Sequence, residues 1–338
     1  MKPVFAALLL VAGSAFAHPG VGIVVDSRGN VFYTDLKQVW RIAPDGEKTV
    51  AVPNVHTHEL YVDASDNLYG EHLWYNGERL DTWGSRVWRR SPDGRVVDIV
   101  PAHPGFNDNF SFVRDRAGNA YFADRTHNNA IQVRTPDGPV RVLARGNFRD
   151  IRWMTVTSDG IVYFIDRVDL IRVTPDGRVV TLARNVSAGS GRHAVMGLWV
   201  DRLGNVYAAD YSGSKVKRID RHGGVTVVAR SSFPWAPTGG TFDRNGNLWL
   251  LEYNIVNQAR ARKVPLTRPS ATLSPLRGAR DLARDSSPRL RGEGGRRTDE
   301  GCPTARPSPG ATRHPLPRER AATITAPART SGLASTGR

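Results

Sequence analysis

The sequence predicts an all-β fold, a six-bladed β-propeller made of four-stranded antiparallel blades. Three observations support this prediction. First, a motif recurs along the chain, in which Asp-x-x-Gly-Asn lies between two apolar runs. Second, the copies of this motif lie 37 to 52 residues apart. Third, tight-turn sequences separate the short apolar runs. Propeller blades repeat about every 40 to 45 residues, so this spacing favours a propeller over other all-β folds.

The first copy of the repeat, Gly22 to Val52, contains four short apolar segments. Ser-Arg-Gly-Asn separates the first two segments, and Pro-Asp-Gly separates the last two. Glycine accepts a positive φ, proline presets φ at the first turn position, and Asp and Asn bond to nearby backbone amides. Four strands joined by such hairpins make one blade.

Five further copies follow, and the sixth is expected to be incomplete. The motif Asp or its substitute lies at Asp26, Asp63, Asp115, Thr157, Asp201 and Asp243. The second turn recurs as Pro-Asp-Gly in four copies and as Arg-His-Gly-Gly in the fifth, but no such turn follows the third predicted strand of the sixth copy, which ends at Val264. We therefore predict that the last blade lacks its outer strand.

The N-terminus has the three regions of a secretory signal peptide over residues 1–17. Lys2 precedes an apolar run over residues 4–11, and Ala15-Phe16-Ala17 supplies the small-residue cleavage site. That run is well short of the roughly 20 residues that span a bilayer. We expect cleavage after Ala17, a secreted or periplasmic protein without an integral membrane segment, and a propeller domain over residues 18–264.

Residues 265–338 have a different composition. They contain fourteen Arg and no Lys, ten of the 22 Pro, the only Cys (Cys302) and no aromatic residue, and they contribute +8 of the formal charge of +15. We expect a disordered Arg/Pro-rich tail, because it lacks the large apolar residues that build a core. Either the tail is a basic arm for anionic partners, or it is out-of-frame sequence. Arg without Lys is typical of unselected GC-rich DNA and favours the second interpretation.

The repeats resemble those of the NHL-type six-bladed β-propellers and of the wider superfamily of senescence-marker and gluconolactonase proteins. The matching segments are VVDSRGNVFYTD, FVRDRAGNAYFAD, WVDRLGNVYAAD and TFDRNGNLWLLE. The resemblance covers Gly22 to Val264 and implies the architecture. It leaves the function open, because the superfamily contains hydrolases, lyases and binding modules.

The resemblance does not extend to the metal ligands of the lactonases. In that family, metal-binding Glu, Asn and Asp lie about five residues before the motif Asp. The corresponding positions here are Val21, His58, Phe110, Arg152, Met196 and Thr238. The acidic and amide ligand set is therefore not reproduced.

The irregular sequences all fall on one face of the predicted ring. In a four-stranded meander the stereotyped turns share one face, the bottom, whereas the connection after strand two and the links between blades share the top. The largest irregularity is the connection from His72 to Arg86 in blade two, which is rich in aromatic residues. It is a wall over the central pocket, a contact surface, or a loop whose rings pack on the blade edge. The predicted ligand-binding residues of the top face are His72, Trp74, Tyr75, Trp83, Trp153 and Trp235.

The links that enter the inner strands also carry metal-ligand side chains. The candidate ligands of a divalent metal ion are His56, His58, Glu59, Asp108, Asn109 and His193. Imidazole, carboxylate and amide groups that converge on a channel mouth can form such a site. His56 and His58 alternate and would share one side of a strand. The alternative is that these histidines are structural and hydrogen-bonded.

Two functions follow from these features. The first is an exported, monomeric propeller that binds a small molecule, glycan or protein on its top face without catalysis. The second is a metal-dependent hydrolase or lyase with its site at the channel mouth. No nucleophile elbow, Cys nucleophile or phosphate-binding loop is present in the sequence, so no catalytic residue is assigned. Export argues against a nucleic-acid partner.

Overall fold

The computed structural model describes residues 19–107, 110–124 and 126–265, and the regular structure in these ranges is all β-strand. The strands form six antiparallel sheets, each built from strands that are consecutive in the chain. The predicted six-bladed β-propeller is confirmed. The predicted signal peptide and almost all of the tail lie outside the described residues.

The strands follow one another blade by blade. Blade one contains β1 (Ile23–Val25), β2 (Val31–Thr34), β3 (Val39–Ile42) and β4 (Lys48–Val52). Blade two contains β5 (Leu60–Val62), β6 (Leu68–Tyr75), β7 (Trp83–Arg90) and β8 (Val96–Pro104). Blade three contains β9 (Ala120–Ala123), β10 (Ala130–Arg134) and β11 (Val140–Arg145). Blade four contains β12 (Ile151–Val156), β13 (Val162–Asp166), β14 (Asp169–Val173) and β15 (Val179–Ala183). Blade five contains β16 (Leu198–Val200), β17 (Val206–Asp210), β18 (Lys215–Ile219) and β19 (Val225–Arg230). Blade six contains β20 (Trp235–Phe242), β21 (Leu248–Asn254) and β22 (Ala259–Val264).

In the part of the chain that the structure describes, two blades have three strands instead of four. Blade six ends with β22, as predicted, and its described part has no outer strand. Blade three has its outer strand but lacks a regular inner one, which is reduced to an isolated bridge between Arg114 and Ala120. The sequence did not predict this second irregularity.

The long connection predicted in blade two is wrong. Strands β6 and β7 continue in register through it, from the pair Leu68–Arg90 to the pair Tyr75–Trp83. The connection itself spans only residues 76–82 and is closed by the Asn76 backbone N–H, which donates to the Thr82 carbonyl at 2.9 Å. The segment is therefore a β-hairpin that extends beyond the other blades' second and third strands.

The core consists of buried apolar clusters between neighbouring blades. Five of the six blade boundaries have such a cluster: one with two, three with four, four with five, five with six, and six with one. Among the described residues, no such cluster joins blades two and three. Near the bottom of that boundary the Arg114 guanidinium lies 5.9 Å from the centre of the Tyr61 ring.

Blades six and one close the ring through side-chain contacts, and each sheet of the described structure keeps its own consecutive strands. Blade six packs on blade one through an apolar cluster that contains Ile23, Tyr33, Leu251 and Tyr253. The Tyr253 hydroxyl also donates to the Thr34 carbonyl at 3.1 Å. In the described ranges, no helix is long and apolar enough to cross a membrane.

Candidate ligand-binding cleft

The top face has a cleft of about 570 Å³ where blades two, three and four meet. Drug-sized ligands occupy clefts of roughly 300–1,000 Å³. The described polar residues of its wall include His58, Glu59, Glu71, Asn107, Ser111, Asp124, Thr126 and Gln132. The larger rings of its wall include Phe106, Phe110, Phe112 and Trp153.

The cleft lies where the inner strand of blade three is interrupted. Ser111 takes the place of regular strand pairing: its hydroxyl donates to the Tyr121 carbonyl at 2.6 Å and accepts from the Val113 backbone N–H at 3.1 Å. The neighbouring Phe110 and Phe112 rings meet edge to face, with their centres 5.0 Å apart. The missing strand and the missing apolar cluster therefore leave space at the same boundary.

The cleft adjoins the central channel. The channel has a volume of about 400 Å³, and the inner part of every blade contributes to its wall. Glu59, Phe112 and Trp153 belong to the walls of both cavities. A ligand in the cleft would therefore also contact the mouth of the channel.

Blade two fixes the position of His58. The His58 carbonyl accepts from the backbone N–H groups of Val21 and Gly22 at 2.9 and 2.8 Å, which ties the link to blade one. The imidazole is nearly buried, and its Nδ1 lies 3.5 Å from Glu71 Oε1. Burial lowers the pKa of His58, and the negative charge of Glu59 opposes this effect. His58 is therefore mainly neutral at pH 7.

Two further histidines of blade two, His56 and His72, lie close to His58. The His56 backbone N–H donates to His72 Nδ1 at 2.9 Å, so that this nitrogen carries no proton. The rings of His56 and His58 are 4.7 Å apart and meet edge to face. Burial, assisted by the positive charge of Arg86, lowers the pKa of His72. His72 thus holds the link in place and does not line the cleft.

A cluster of aromatic rings forms the tip of the blade-two hairpin at the rim of the cleft. Tyr75 and Trp83 have ring centres 5.2 Å apart, and Trp83 stacks on Phe106 at 5.9 Å. The three residues are 42%, 37% and 55% exposed, respectively. Because Phe106 also lines the cleft, the cluster is a continuation of the cleft wall.

Of the predicted site residues, the structure brings His58, Glu59 and Trp153 to the cleft. His193 is exposed and lines neither the cleft nor the channel. Trp235 also lies outside both cavities and stacks with the Arg260 guanidinium, 4.1 Å from the ring centre. Trp74 lies on β6, with its ring 5.5 Å from that of His72. Asp108 and Asn109 lie outside the described residues.

The described residues do not by themselves form a metal site. Across residues 19–107, 110–124 and 126–265, no group of three or more His, Cys, Asp and Glu side chains is arranged to hold a metal ion. Two of the six predicted ligands, Asp108 and Asn109, fall outside these ranges. The divalent metal site therefore stays a prediction.

Several cleft residues were not predicted. Phe106, Phe110 and Phe112 come from one stretch, FNDNFSF, which precedes the motif Asp of blade three. The 52-residue spacing there is the longest between two copies, which is a signal of an irregular blade. Glu71 and Asp124 also face the cleft.

Comparisons with known proteins establish the fold class. No family model matches the sequence, and no curated protein matches it. Among solved structures, a gluconolactonase from Xanthomonas campestris is 17% identical, with 72% of this chain and 85% of that chain covered and a TM-score of 0.53. A virginiamycin B lyase from Staphylococcus aureus is also 17% identical, with 74% and 85% covered and a TM-score of 0.47. A calcium-binding regucalcin from Agrobacterium tumefaciens is 15% identical, with 69% and 81% covered and a TM-score of 0.46.

The chain is thus a six-bladed β-propeller similar in fold to the gluconolactonase-type propellers. The resemblance that the repeats predicted is confirmed at this level. At 17% identity or less the similarity concerns the fold alone, because one propeller scaffold supports unrelated chemistries.

Proposed function

We propose that this protein binds a small organic molecule in the top-face cleft, as an exported protein in accordance with its predicted signal peptide. The observation that carries the proposal is the boundary between blades two and three. Every other boundary has a buried apolar cluster, whereas this one has a cleft lined by rings and polar groups. Places where a fold departs from its own packing pattern are typically functional.

The composition of the wall supports the same proposal. Ligand sites are mostly apolar and aromatic, with a few polar groups that orient the ligand. Here Phe112 and Trp153 supply apolar area, and Gln132 and Ser111 supply amide and hydroxyl groups. The exposed rings of Tyr75 and Trp83 offer additional contact area to a ligand that extends beyond the rim, including a glycan.

Blocking the cleft tests the proposal. Thr126 lines the cleft and is exposed, so Thr126→Trp places an indole at the cleft without disturbing the core. Thr226→Trp, on the exposed part of β19, is the matched control. A fragment library of neutral, anionic and cationic compounds would be screened by ligand-observed NMR. We expect fragments whose binding is lost in Thr126→Trp and kept in Thr226→Trp. If no fragment shows this difference, the cleft is not a ligand site.

A second function, that of a hydrolase or lyase, is favoured by the pairing of His58 with Glu71. A neutral imidazole next to a carboxylate can take a proton from a substrate while the carboxylate stabilises the resulting imidazolium. Assays with sugar lactones, with and without added divalent metal ions, would test this function. His58→Gln should abolish any turnover while His222→Gln, on the bottom face, preserves it. Equal rates in the two variants would exclude His58 as the base.

A further inference from the structure

The described part of the cleft wall is acidic, although the chain as a whole is basic. The formal net charge of the whole sequence is +15, yet the described wall of the cleft contains Glu59, Glu71 and Asp124 and neither Lys nor Arg. The backbone N–H and the ring of His127 both donate to Asp124 and keep the pKa of this carboxyl below its usual range. The backbone N–H has the larger effect.

The rings of the wall favour the same sign of ligand charge. The face of an aromatic ring carries the negative part of its quadrupole and attracts ammonium and guanidinium groups. The large rings that line the cleft are those of Phe106, Phe110, Phe112, Tyr121, Phe122 and Trp153. Carboxylates and ring faces together form the environment in which proteins recognise organic cations.

Two internal guanidinium groups already use rings of the wall in this way. Arg114 lies 4.8 Å from the centre of the Phe110 ring, and Arg134 lies 5.4 Å from that of Phe122. Arg114 belongs to the wall of the central channel, and neither guanidinium belongs to the wall of the cleft. Their positive charges offset part of the negative charge nearby, so the rings and the carboxylates must act together on a ligand.

We propose that the cleft selects organic cations, namely amines or quaternary ammonium compounds attached to an apolar or aromatic body. This inference rests on the proposed function and names the ligand class of the same site. The ammonium group would lie among Glu59, Glu71 and Asp124, and the body of the ligand would pack on the rings of Phe112 and Trp153. A volume of about 570 Å³ accommodates a body of one or two rings.

Matched pairs of probes test the ligand class. Tryptamine would be compared with tryptophol, and choline with 3,3-dimethylbutan-1-ol, which differ chiefly in the positive charge. Gluconolactone serves as the neutral, polyhydroxylated comparison. Isothermal titration calorimetry at pH 7.5 and low salt should show that at least one cation binds roughly tenfold or more tightly than its neutral partner. This binding should be lost in Thr126→Trp.

Conservative variants test the origin of the selectivity. Glu59→Gln and Asp124→Asn remove one negative charge each and nearly preserve side-chain size, and Asp124→Asn keeps an oxygen for the turn. Each should weaken binding of the cation about three- to tenfold and leave the neutral probe unchanged. Glu47→Gln removes a charge from the exposed bottom hairpin and should have no effect. Melting curves would confirm that all variants are folded.

Four results would overturn the inference, and they differ in what they say about the proposed function. Equal binding of cation and neutral partner, or cation binding that the acid variants leave unchanged, removes the ligand class and preserves the cleft as a site. A third result is that gluconolactone or another uncharged or anionic fragment binds, that Thr126→Trp abolishes this binding, and that neither cation binds. This result also removes the ligand class and preserves the cleft as a site. Absence of any Thr126→Trp-sensitive ligand removes both the ligand class and the proposed function.

Discussion

At the scale of single residues, the motif aspartates are structural. Asp201 accepts from the backbone N–H groups of Leu203 and Asn205, from the Asn205 side chain and from the Tyr207 hydroxyl. Blade four has Thr157 at this position, whose hydroxyl accepts from the Ile161 backbone N–H at 2.9 Å. A residue that the fold needs in every blade carries no information about the ligand.

The carboxylates at or near the ends of the second strands are also mainly structural. Asp35 accepts from the backbone N–H groups of Lys37 and Gln38, both at 2.9 Å. Glu252 is buried between Arg260 and Arg262 and forms ion pairs with both at 2.7 Å. Asp124 and Glu71 differ from these because they also line the cleft.

The lowered pKa values of His58 and His72 lead us to expect that the stability of the protein depends on pH. The pKa values of His58 and His72 are lowered in the folded protein, so the unfolded chain binds protons more readily below its histidine pKa of about 6.5. Their contribution to the free energy of unfolding is present above that pH and is lost as the pH falls towards the folded-state values. Urea denaturation between pH 7.5 and 5 should therefore show decreasing stability.

The double variant His58→Gln/His72→Gln should flatten this decrease, because it removes both groups. His222→Gln, in an exposed bottom turn, should retain the wild-type slope. An unchanged slope in the double variant would show that other groups cause the pH dependence.

At the scale of structural elements, strand β7 contains one tryptophan that packs in the core and another that lies at the surface. Trp88 is fully buried, and its ring lies so close to Gly70 that a Cβ there would be 2.2 Å from Trp88 Cζ2. Trp83, five residues earlier on the same strand, is 37% exposed and contacts Tyr75 and Phe106. The same residue type therefore has two different functions in one strand.

Alanine substitutions should distinguish these two tryptophans. Trp88→Ala should reduce the free energy of unfolding by about 3–5 kcal/mol, because it leaves a cavity between blades one and two. Trp83→Ala should change it by less than about 1 kcal/mol, since its ring lies at the exposed tip of the hairpin. Urea denaturation measures both changes. A loss of similar size in the two variants would mean that the hairpin tip belongs to the folding core.

The interrupted inner strand of blade three is the element that leaves the cleft open. A regular strand there would continue the ring of inner strands and would bring an apolar face towards blade two. Instead the chain forms one bridge at Arg114, and Ser111 satisfies backbone groups of Tyr121 and Val113. The loss of strand pairing is thus compensated locally, and the cleft remains between blades two and three.

At the scale of the whole molecule, the ring depends on contacts between the first and last blades. Leu251 and Tyr253 of blade six pack on Ile23, Tyr33 and Leu36 of blade one. Since each sheet consists of consecutive strands, no strand exchange holds the described blades together. Side-chain packing at this boundary must therefore close the ring.

A chain that ends at Pro265 tests the predicted domain boundary. All buried clusters of the described structure consist of residues between Val21 and Val264, so the shortened chain should fold by itself. Starting at His18, it should melt within about 2 °C of the chain that continues to Arg338. Calorimetry of the two proteins gives this comparison. A fall of more than about 5 °C would show that residues 266–338 contribute to the folded state.

The sequence by itself determined the number of blades, the turns and the incomplete sixth blade, because these features depend on local chemistry. Gly29, Gly118 and Gly204 adopt positive φ, and Asp201 or Thr157 holds the following amides, irrespective of distant residues. Only the tertiary structure decided where the cleft lies. Its wall is formed by side chains that lie between His58 and Met154 in the sequence and that meet where blades two, three and four adjoin. Such features arise from contacts between segments far apart in the chain, which no local pattern records.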